Sequence, residues 1–162
     1  MSALKDGRWG MVAAQGLLFA AVAVTALMPA AAPSLSPVLW QSLWTGLALV
    51  VLGSIGVIWS AKDLGTSLTP SPVPNRAGLV ARGPYHYARH PMYTALVVIC
   101  LGVAVGSGAA LTYVSVLLLA VFFEYKTRVE ERYLIDAYAG YGEYASRTGK
   151  FVPGMGRRAV GQ

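Results

Sequence analysis

The segment "MYTALVVICLGVAVGSGAALTYVSVLLLAVFF", residues 92–123, consists of two apolar runs that meet at Gly106-Ser107-Gly108. Each run is shorter than the ~20 residues that a straight helix needs to cross ~30 Å of hydrocarbon, yet neither contains a charged residue. Glycine adopts the backbone conformations of a tight reversal without a steric penalty. The segment therefore predicts two membrane helices joined as a tight hairpin.

Two longer apolar runs precede this hairpin, at residues 9–28 and 38–61. Of the 162 residues, 56% are hydrophobic and only 12% are charged, against roughly 25% charged residues in soluble domains. The chain is therefore predicted to be all-α, a polytopic membrane bundle of about four transmembrane helices in one integral membrane domain, 1–162. Its predicted parts are two N-terminal spans (1–61), a cytoplasmic loop (62–91), the helical hairpin (92–123) and a cytoplasmic helix and tail (124–162).

The positive charges indicate how these helices are oriented. All 13 Lys and Arg residues fall on one side of the predicted membrane, because the segments 29–37 and 106–108 carry none. The positive-inside rule then predicts that the N-terminus, the 62–91 loop and the C-terminus are cytoplasmic. A signal peptide is the alternative interpretation of the first run, since Lys5 and Arg8 precede it, although its apolar part is longer than usual.

The segment "RGPYHYARHPMY", residues 82–93, concentrates two Arg, three Tyr and both histidines of the chain directly before the hairpin. A helix N-terminus surrounded by such side chains offers hydrogen-bond donors and the positive end of the helix dipole. A juxtamembrane anchor, with Arg at lipid headgroups and Tyr in the interfacial belt, also fits the composition. The residues alone leave both interpretations open.

The segment "KTRVEERYL", residues 126–134, places two adjacent carboxylates just beyond the last apolar run. At 100° per residue, Arg128 and Glu131 fall on one stripe, which predicts an ion pair between them. Glu130 falls on a different side, so the two carboxylates are not expected to point into one pocket. A solvated helix face with weak surface pairs is the alternative.

Helix-forming residues continue past Phe123, so the fourth helix is predicted to extend several turns into the cytoplasm until Gly140 or Gly142 ends it. The tail beyond is predicted to form a short turn or helix packed against the loop. Arg157 and Arg158 are expected to contact lipid headgroups rather than a site.

The ordered series "GPYHYARHPMY", helical hairpin, "RVEERYL", "YGEY" and "FVP" resembles the integral membrane methyltransferases of the isoprenylcysteine carboxyl methyltransferase type, which share this pattern with phospholipid methyltransferases. The resemblance covers residues 62–153. It implies a membrane enzyme that holds S-adenosylmethionine in a pocket formed by the cytoplasmic extension. It also implies a lipophilic or lipid-like methyl acceptor, reached from the bilayer.

The resemblance also implies roles for individual residues. The residues expected to border the cofactor are Tyr85, Arg89, His90, Pro91 and Tyr93, with a C-terminal wall of Tyr141, Tyr144 and Pro153. The expected catalytic residues are Arg128, Glu131 and the neighbouring Glu130. The family's aromatic-Gly pair is replaced here by Ala139-Gly140, so the register of the two wall tyrosines stays open.

Several functional alternatives remain at this stage. The acceptor could be a carboxylate, an amine or a thiol, and only the latter two need a base. A membrane reductase with a nicotinamide cofactor and a noncatalytic helical membrane protein are the competing classes. Gly46, Gly53 and Gly56 are compatible with close helix packing or dimerisation, and Gly53 and Gly56 favour packing within the chain over a dimer contact. Neither nucleic-acid binding nor a metal site is predicted, since two His and one Cys do not form a zinc shell.

Overall fold

The computed structural model describes residues 2–31, 38–69 and 78–158, with the backbone alone for 2–8 and 29–31. All regular elements of these residues are helical, which confirms the predicted all-α class. In chain order they are α1 Ser2–Ala31, α2 Leu43–Leu64 followed by one turn of 3-10 helix at Gly65–Ser67, α3 Pro84–Tyr87, α4 Pro91–Ser107, α5 Ala110–Ala137 and α6 Tyr141–Arg147.

Three helices of the described chain are long and apolar enough to cross a membrane, at Trp9–Met28, Leu43–Ser67 and Ala110–Ala137. The fourth apolar helix, α4, has only 17 residues. The chain is thus built as an integral membrane protein. Four complete spans and the cytoplasmic placement of both termini stay predictions.

The hairpin of α4 and α5 is as tight as its sequence predicted. α4 continues through Gly106 and Ser107, and the reversal occurs at Gly108, whose φ of 69° lies in the left-handed region. Its amide donates to the carbonyl of Ala104 at 2.8 Å, which closes the end of the helix. α5 then begins at Ala110.

α5 extends well beyond the apolar run, as predicted, and ends at Ala137, before Gly140.

The predicted loop 62–91 begins later than expected, because α2 includes Lys62 and continues to Leu64. Residues 70–77 of that loop, and residues 32–37 of the first predicted loop, lie outside the described chain.

α1 packs antiparallel to α5 and also contacts α4. The apolar core lies between these three helices and is formed by Val22, Cys100, Ala104, Val116, Leu119 and Phe123. At one end of the bundle, residues 38–42 bind the hairpin turn through backbone hydrogen bonds. The other end carries α3, the start of α4, the last turns of α5 and residues 138–158. The polar residues of interest therefore share one end of the bundle.

α2 and α4 approach closely because small residues face each other. A Cβ added to Gly46 would lie 2.7 Å from the Gly102 carbonyl oxygen, and one added to Gly102 would lie 2.7 Å from the Gly46 carbonyl oxygen. At Gly53 an added Cβ would meet the Ala95 carbonyl oxygen at 2.7 Å. These glycines serve packing within the chain, as the sequence favoured for Gly53.

Gly102→Ala is expected to destabilise the fold by about 1–3 kcal/mol, because its methyl group would push two backbones apart. Gly16→Ala in α1 is the matched control, since an added Cβ there has no neighbour within 4 Å. It is expected to be neutral or slightly stabilising. Thermal unfolding of both variants in detergent measures the difference, and equal midpoints would contradict the close α2–α4 contact.

Candidate active site

The C-terminal segment holds the residues before α4 in an extended path. The amide of Arg89 donates to the Gly149 carbonyl at 2.8 Å, and the amide of His90 donates to the Lys150 carbonyl at 2.9 Å. Pro91 then starts α4, where its missing N–H leaves no helical bond unmade. The directions of the Arg89 and His90 side chains are fixed by this backbone.

Arg89, His90 and Glu131 form a buried ionic cluster. Glu131 Oε1 accepts a hydrogen bond from Arg89 Nε at 2.9 Å and lies 3.1 Å from His90 Nε2. The side chains of Arg89, His90 and Glu131 are 2%, 5% and 7% exposed. A buried carboxylate requires such partners, because its hydration is lost. The structure thus brings together three of the residues that the resemblance assigned to the site.

The guanidinium of Arg89 also binds the C-terminal segment. Nη1 donates to the carbonyls of Ala145 and Thr148 at 2.8 and 2.7 Å, and Nη2 donates to the carbonyl of Gly156 at 3.0 Å. Together with the bond to Glu131, these contacts use both ends of the guanidinium. Arg89, which directly precedes α4, therefore binds this end of α4 to α5 and to the C-terminal segment.

The predicted ion pair between Arg128 and Glu131 is wrong. Arg128 Nε donates to Glu124 Oε1 at 2.8 Å instead, and the Arg128 side chain is 70% exposed. Residues three apart on a helix differ by about 60° in direction. α4 covers the side of α5 that carries Glu131, and Arg128 lies beyond that cover. The structure places Arg128 outside the cluster.

A cavity lies beside the cluster, between the end of α2, the start of α4, the last turns of α5 and α6. Glu130, rather than Glu131, lines it, and the Tyr93 hydroxyl donates to Glu130 Oε2 at 3.1 Å. The other described residues of the lining are Leu64, Ser67, Leu68, Thr69, Gly78, Leu79, Val80, Tyr85, Arg89, His90, Met92, Leu134, Tyr138, Tyr141 and Tyr144.

Glu130 and Glu131 approach the start of α4 from different directions. Glu131 reaches His90, whereas Glu130 reaches Tyr93, one turn further along α4. The two carboxylates were not expected to point into one pocket. This is confirmed for the cavity described here, because Glu130 lines it and Glu131 does not. Glu130 is the carboxylate at the wall, and Glu131 belongs to the ionic cluster behind it.

Five tyrosines give the cavity its aromatic character: Tyr85, Tyr93, Tyr138, Tyr141 and Tyr144. The Tyr144 hydroxyl donates to the Tyr85 carbonyl, whereas the buried Tyr141 hydroxyl has no hydrogen-bond partner among the described residues. Burial raises the pKa of Tyr144 to about 12 and also raises the pKa of Tyr85 and Tyr141. These phenols stay protonated at neutral pH. The Tyr141 hydroxyl can therefore donate to a ligand.

Both Tyr141 and Tyr144 line the cavity. The structure does not bring Pro91 or Pro153 there. Both prolines line a separate apolar groove together with Trp59, Tyr87 and Phe151. The predicted roles of the two prolines beside the cofactor stay untested, and their positions do not support those roles.

Three residues near the site were not predicted. Arg158 Nη1 lies 3.7 Å from Glu131 Oε2, and no local pattern marks this long-range pair. Tyr138 lines the cavity from the end of α5. Lys126 is buried at 1% exposure, and its position one turn before Glu130 was the available signal.

The chain is similar in sequence to known proteins. The sequence profile of the phospholipid methyltransferase family matches residues 41–140. The cobalt-zinc-cadmium resistance protein CzcN of Cupriavidus metallidurans is 34% identical over 116 residues, which cover 70% of this chain and 53% of that protein. The nickel-cobalt-cadmium resistance protein NccN of Alcaligenes xylosoxydans xylosoxydans is 28% identical over 122 residues, with coverage of 70% and 54%.

The chain therefore spans about half the length of these two curated relatives. The matched region contains α2, α3, α4 and α5, and with them the cluster of Arg89, His90 and Glu131 and the cavity-lining Glu130. With more than half of its residues matched by the family profile, the chain belongs to the phospholipid methyltransferase family.

Proposed function

We propose that this chain is a membrane methyltransferase that uses S-adenosylmethionine and methylates a lipophilic or lipid-like acceptor. The observation that carries the proposal is the tyrosine-lined cavity with Glu130 in its wall, located at the polar end of a membrane bundle. Membership of the phospholipid methyltransferase family supports the reaction class.

The residues of the cavity fit the proposed cofactor. Aromatic faces attract a cation by ~0.5–2 kcal/mol, and Glu130 adds a carboxylate to the same wall. The buried Tyr141 hydroxyl offers an unused donor to a polar group of the ligand. When bound, S-adenosylmethionine supplies an electrophilic methyl group on a positively charged sulfur. The chain's own contribution is to position the reactants and to exclude water.

The charges around the cavity support an amine acceptor over a carboxylate. A carboxylate acceptor would need a cation to orient it, and the sole Arg or Lys among the described lining residues is Arg89, which already binds Glu131 and three carbonyls. An amine acceptor must instead lose a proton before its nitrogen can attack. The Glu130 carboxylate is placed to accept that proton.

The apolar part of the lining suits the lipophilic part of such an acceptor. Leu64, Leu68, Leu79 and Val80 lie at the end of α2 and in the segment before α3, next to the membrane-crossing helices. A headgroup amine carried by a lipid would then enter from the bilayer and meet Glu130 inside the cavity.

Calorimetry on the purified full chain in detergent tests the cofactor assignment. S-adenosylmethionine and its demethylated product are both expected to bind, and absence of binding at millimolar ligand would remove the proposal. Transfer of labelled methyl groups to phosphatidylethanolamine, but not to a prenylcysteine carboxylate, is the expected acceptor preference. A change in nicotinamide fluorescence on mixing would favour the reductase alternative.

The names of both relatives concern resistance to metal ions. Within residues 9–28, 38–69 and 78–158, no group of three or more His, Cys, Asp or Glu side chains could hold a metal ion. The cavity is instead suited to an organic cation, with phenols and one carboxylate. We propose that, if this chain contributes to metal resistance, it does so by methylating a membrane component.

A further inference from the structure

Residues 78–80 form part of the cavity wall directly before the segment that leads to α3. Gly78, Leu79 and Val80 all line the cavity, together with Leu64 and Leu68 from the end of α2 and the turn that follows it. The proposed function assigns the apolar side chains of this wall to the lipophilic part of the acceptor. The position of residues 78–80 therefore affects how well such an acceptor fits.

Gly78 is bound by two side chains that also line the cavity. Its amide donates to the Tyr138 hydroxyl at 3.3 Å, and its carbonyl accepts from Ser67 Oγ at 3.2 Å. Its φ of 123° lies in a region that glycine adopts more readily than other residues. Ser67 ends the 3-10 turn after α2, whereas Tyr138 directly follows α5. The two bonds therefore hold Gly78 between the end of α2 and the end of α5.

The backbone of Tyr138 is fixed on both sides. Its amide donates to the Leu134 carbonyl at 2.9 Å, which closes the end of α5. Its carbonyl accepts from the amide of Tyr141, the first residue of α6, at 3.0 Å. The half-buried Tyr138 side chain thus reaches Gly78 from the junction of two helices.

We propose that Tyr138 is a positioning residue for the methyl acceptor, because its hydroxyl holds residues 78–80 in the cavity wall through the Gly78 amide. This inference rests on the proposed function, since it concerns the acceptor of that same site. When the bond is lost, the wall is in place in a smaller fraction of molecules. The apparent affinity for the acceptor then falls by the same factor.

Tyr138→Phe tests this role, because it keeps the ring and removes only the hydroxyl. The KM for phosphatidylethanolamine is expected to rise about threefold to tenfold, the factor by which one neutral hydrogen bond shifts such an equilibrium. Turnover at saturating phosphatidylethanolamine and the dissociation constant of S-adenosylhomocysteine are expected to stay close to those of the wild type. Labelled methyl transfer at varied lipid and calorimetry, both on the full chain in detergent, measure the three quantities.

Two further variants separate the positioning role from a general loss of structure. Tyr133→Phe removes the same group from α5 at a residue outside the described cavity lining, so it should leave the KM unchanged. Ser67→Ala removes the other bond to Gly78 and should also raise the KM. It provides the second measurement if Tyr138→Phe fails to fold.

Hydrogen exchange measures the same bond without any substrate. The amides of residues 78–80 are expected to exchange faster in Tyr138→Phe and in Ser67→Ala than in the wild type. Tyr133→Phe is expected to exchange there at the rate of the wild type. Unchanged exchange at residues 78–80 in Tyr138→Phe would overturn the inference.

The outcomes distinguish the inference from the proposed function. If the wild type methylates phosphatidylethanolamine, an unchanged KM in Tyr138→Phe, or an equal loss of affinity for S-adenosylhomocysteine, would overturn the positioning role and leave the function standing. A wild type that neither transfers methyl groups to this lipid nor binds S-adenosylhomocysteine would overturn the proposed function, and the inference with it.

Discussion

Arg89→Met is expected to destabilise the folded protein by about 3–5 kcal/mol, the cost of removing one partner from a buried ion pair. The substitution leaves the Glu131 carboxylate without its arginine and removes one donor each from the carbonyls of Ala145, Thr148 and Gly156. Thermal unfolding in detergent measures the loss. Limited proteolysis should also show faster cleavage of residues 148–158, because Arg89 binds that segment to α4.

Two further variants give this prediction its controls. Arg147→Met removes the same functional group from an exposed pair with Glu143 and is expected to cost no more than ~1 kcal/mol. Arg89→Lys keeps the charge but loses the planar guanidinium that reaches a carboxylate and several carbonyls at once. Most of the stabilisation that Arg89 contributes is therefore still expected to be lost. If Arg89→Met is as stable as Arg147→Met, the buried contacts of Arg89 do not stabilise the fold as expected.

The helices of this protein could be predicted from its sequence because hydropathy and glycine act locally. The hairpin follows from two uncharged runs around Gly106-Ser107-Gly108, and the structure moves the reversal only to Gly108. The extension of α5 past Phe123 follows from an uninterrupted run of helix-forming residues. By contrast, the sequence did not indicate that α2 would continue through Lys62, since Pro and Gly begin to accumulate only a few residues later.

The site was predicted as a set of residues but not as a set of contacts. The segment 82–93 and the paired carboxylates were recognised by their order along the chain, and the structure brings Tyr85, Arg89, His90 and Tyr93 to the same end of the bundle as Glu130 and Glu131. The Arg128 assignment failed because a helical wheel gives the angle between side chains but not which side another helix covers.

The contacts from distant segments could not be predicted for a related reason. Gln15 lies on α1 and Arg158 in the tail, so each meets the paired-carboxylate region only after the bundle has assembled. Neither residue carries a local pattern that names its partner. Tertiary packing alone determines that α1 faces Lys126 and that the tail returns to Glu131.

Glu130→Gln is expected to lower methyl transfer at least about 100-fold while the protein remains folded, since a positioned proton acceptor contributes about 10²–10⁴-fold. The amide oxygen can still accept from the Tyr93 hydroxyl, so the local hydrogen bond is kept. What the variant loses is the negative charge at the cavity wall and the ability to take a proton from an amine. Labelled methyl transfer to phosphatidylethanolamine, measured beside thermal unfolding, separates these effects.

Glu124→Gln and Glu131→Gln are the matched comparisons, because all three glutamates lie on α5. Glu124 pairs with Arg128 and Lys150 outside the cavity, so its variant should retain turnover. Glu131→Gln is expected to lower turnover strongly and to lower the unfolding midpoint too, because the carboxylate that pairs with Arg89 and His90 is lost. Full transfer by Glu130→Gln together with complete loss in Glu131→Gln would instead assign the chemistry to Glu131, since the cavity-wall carboxylate would then be dispensable.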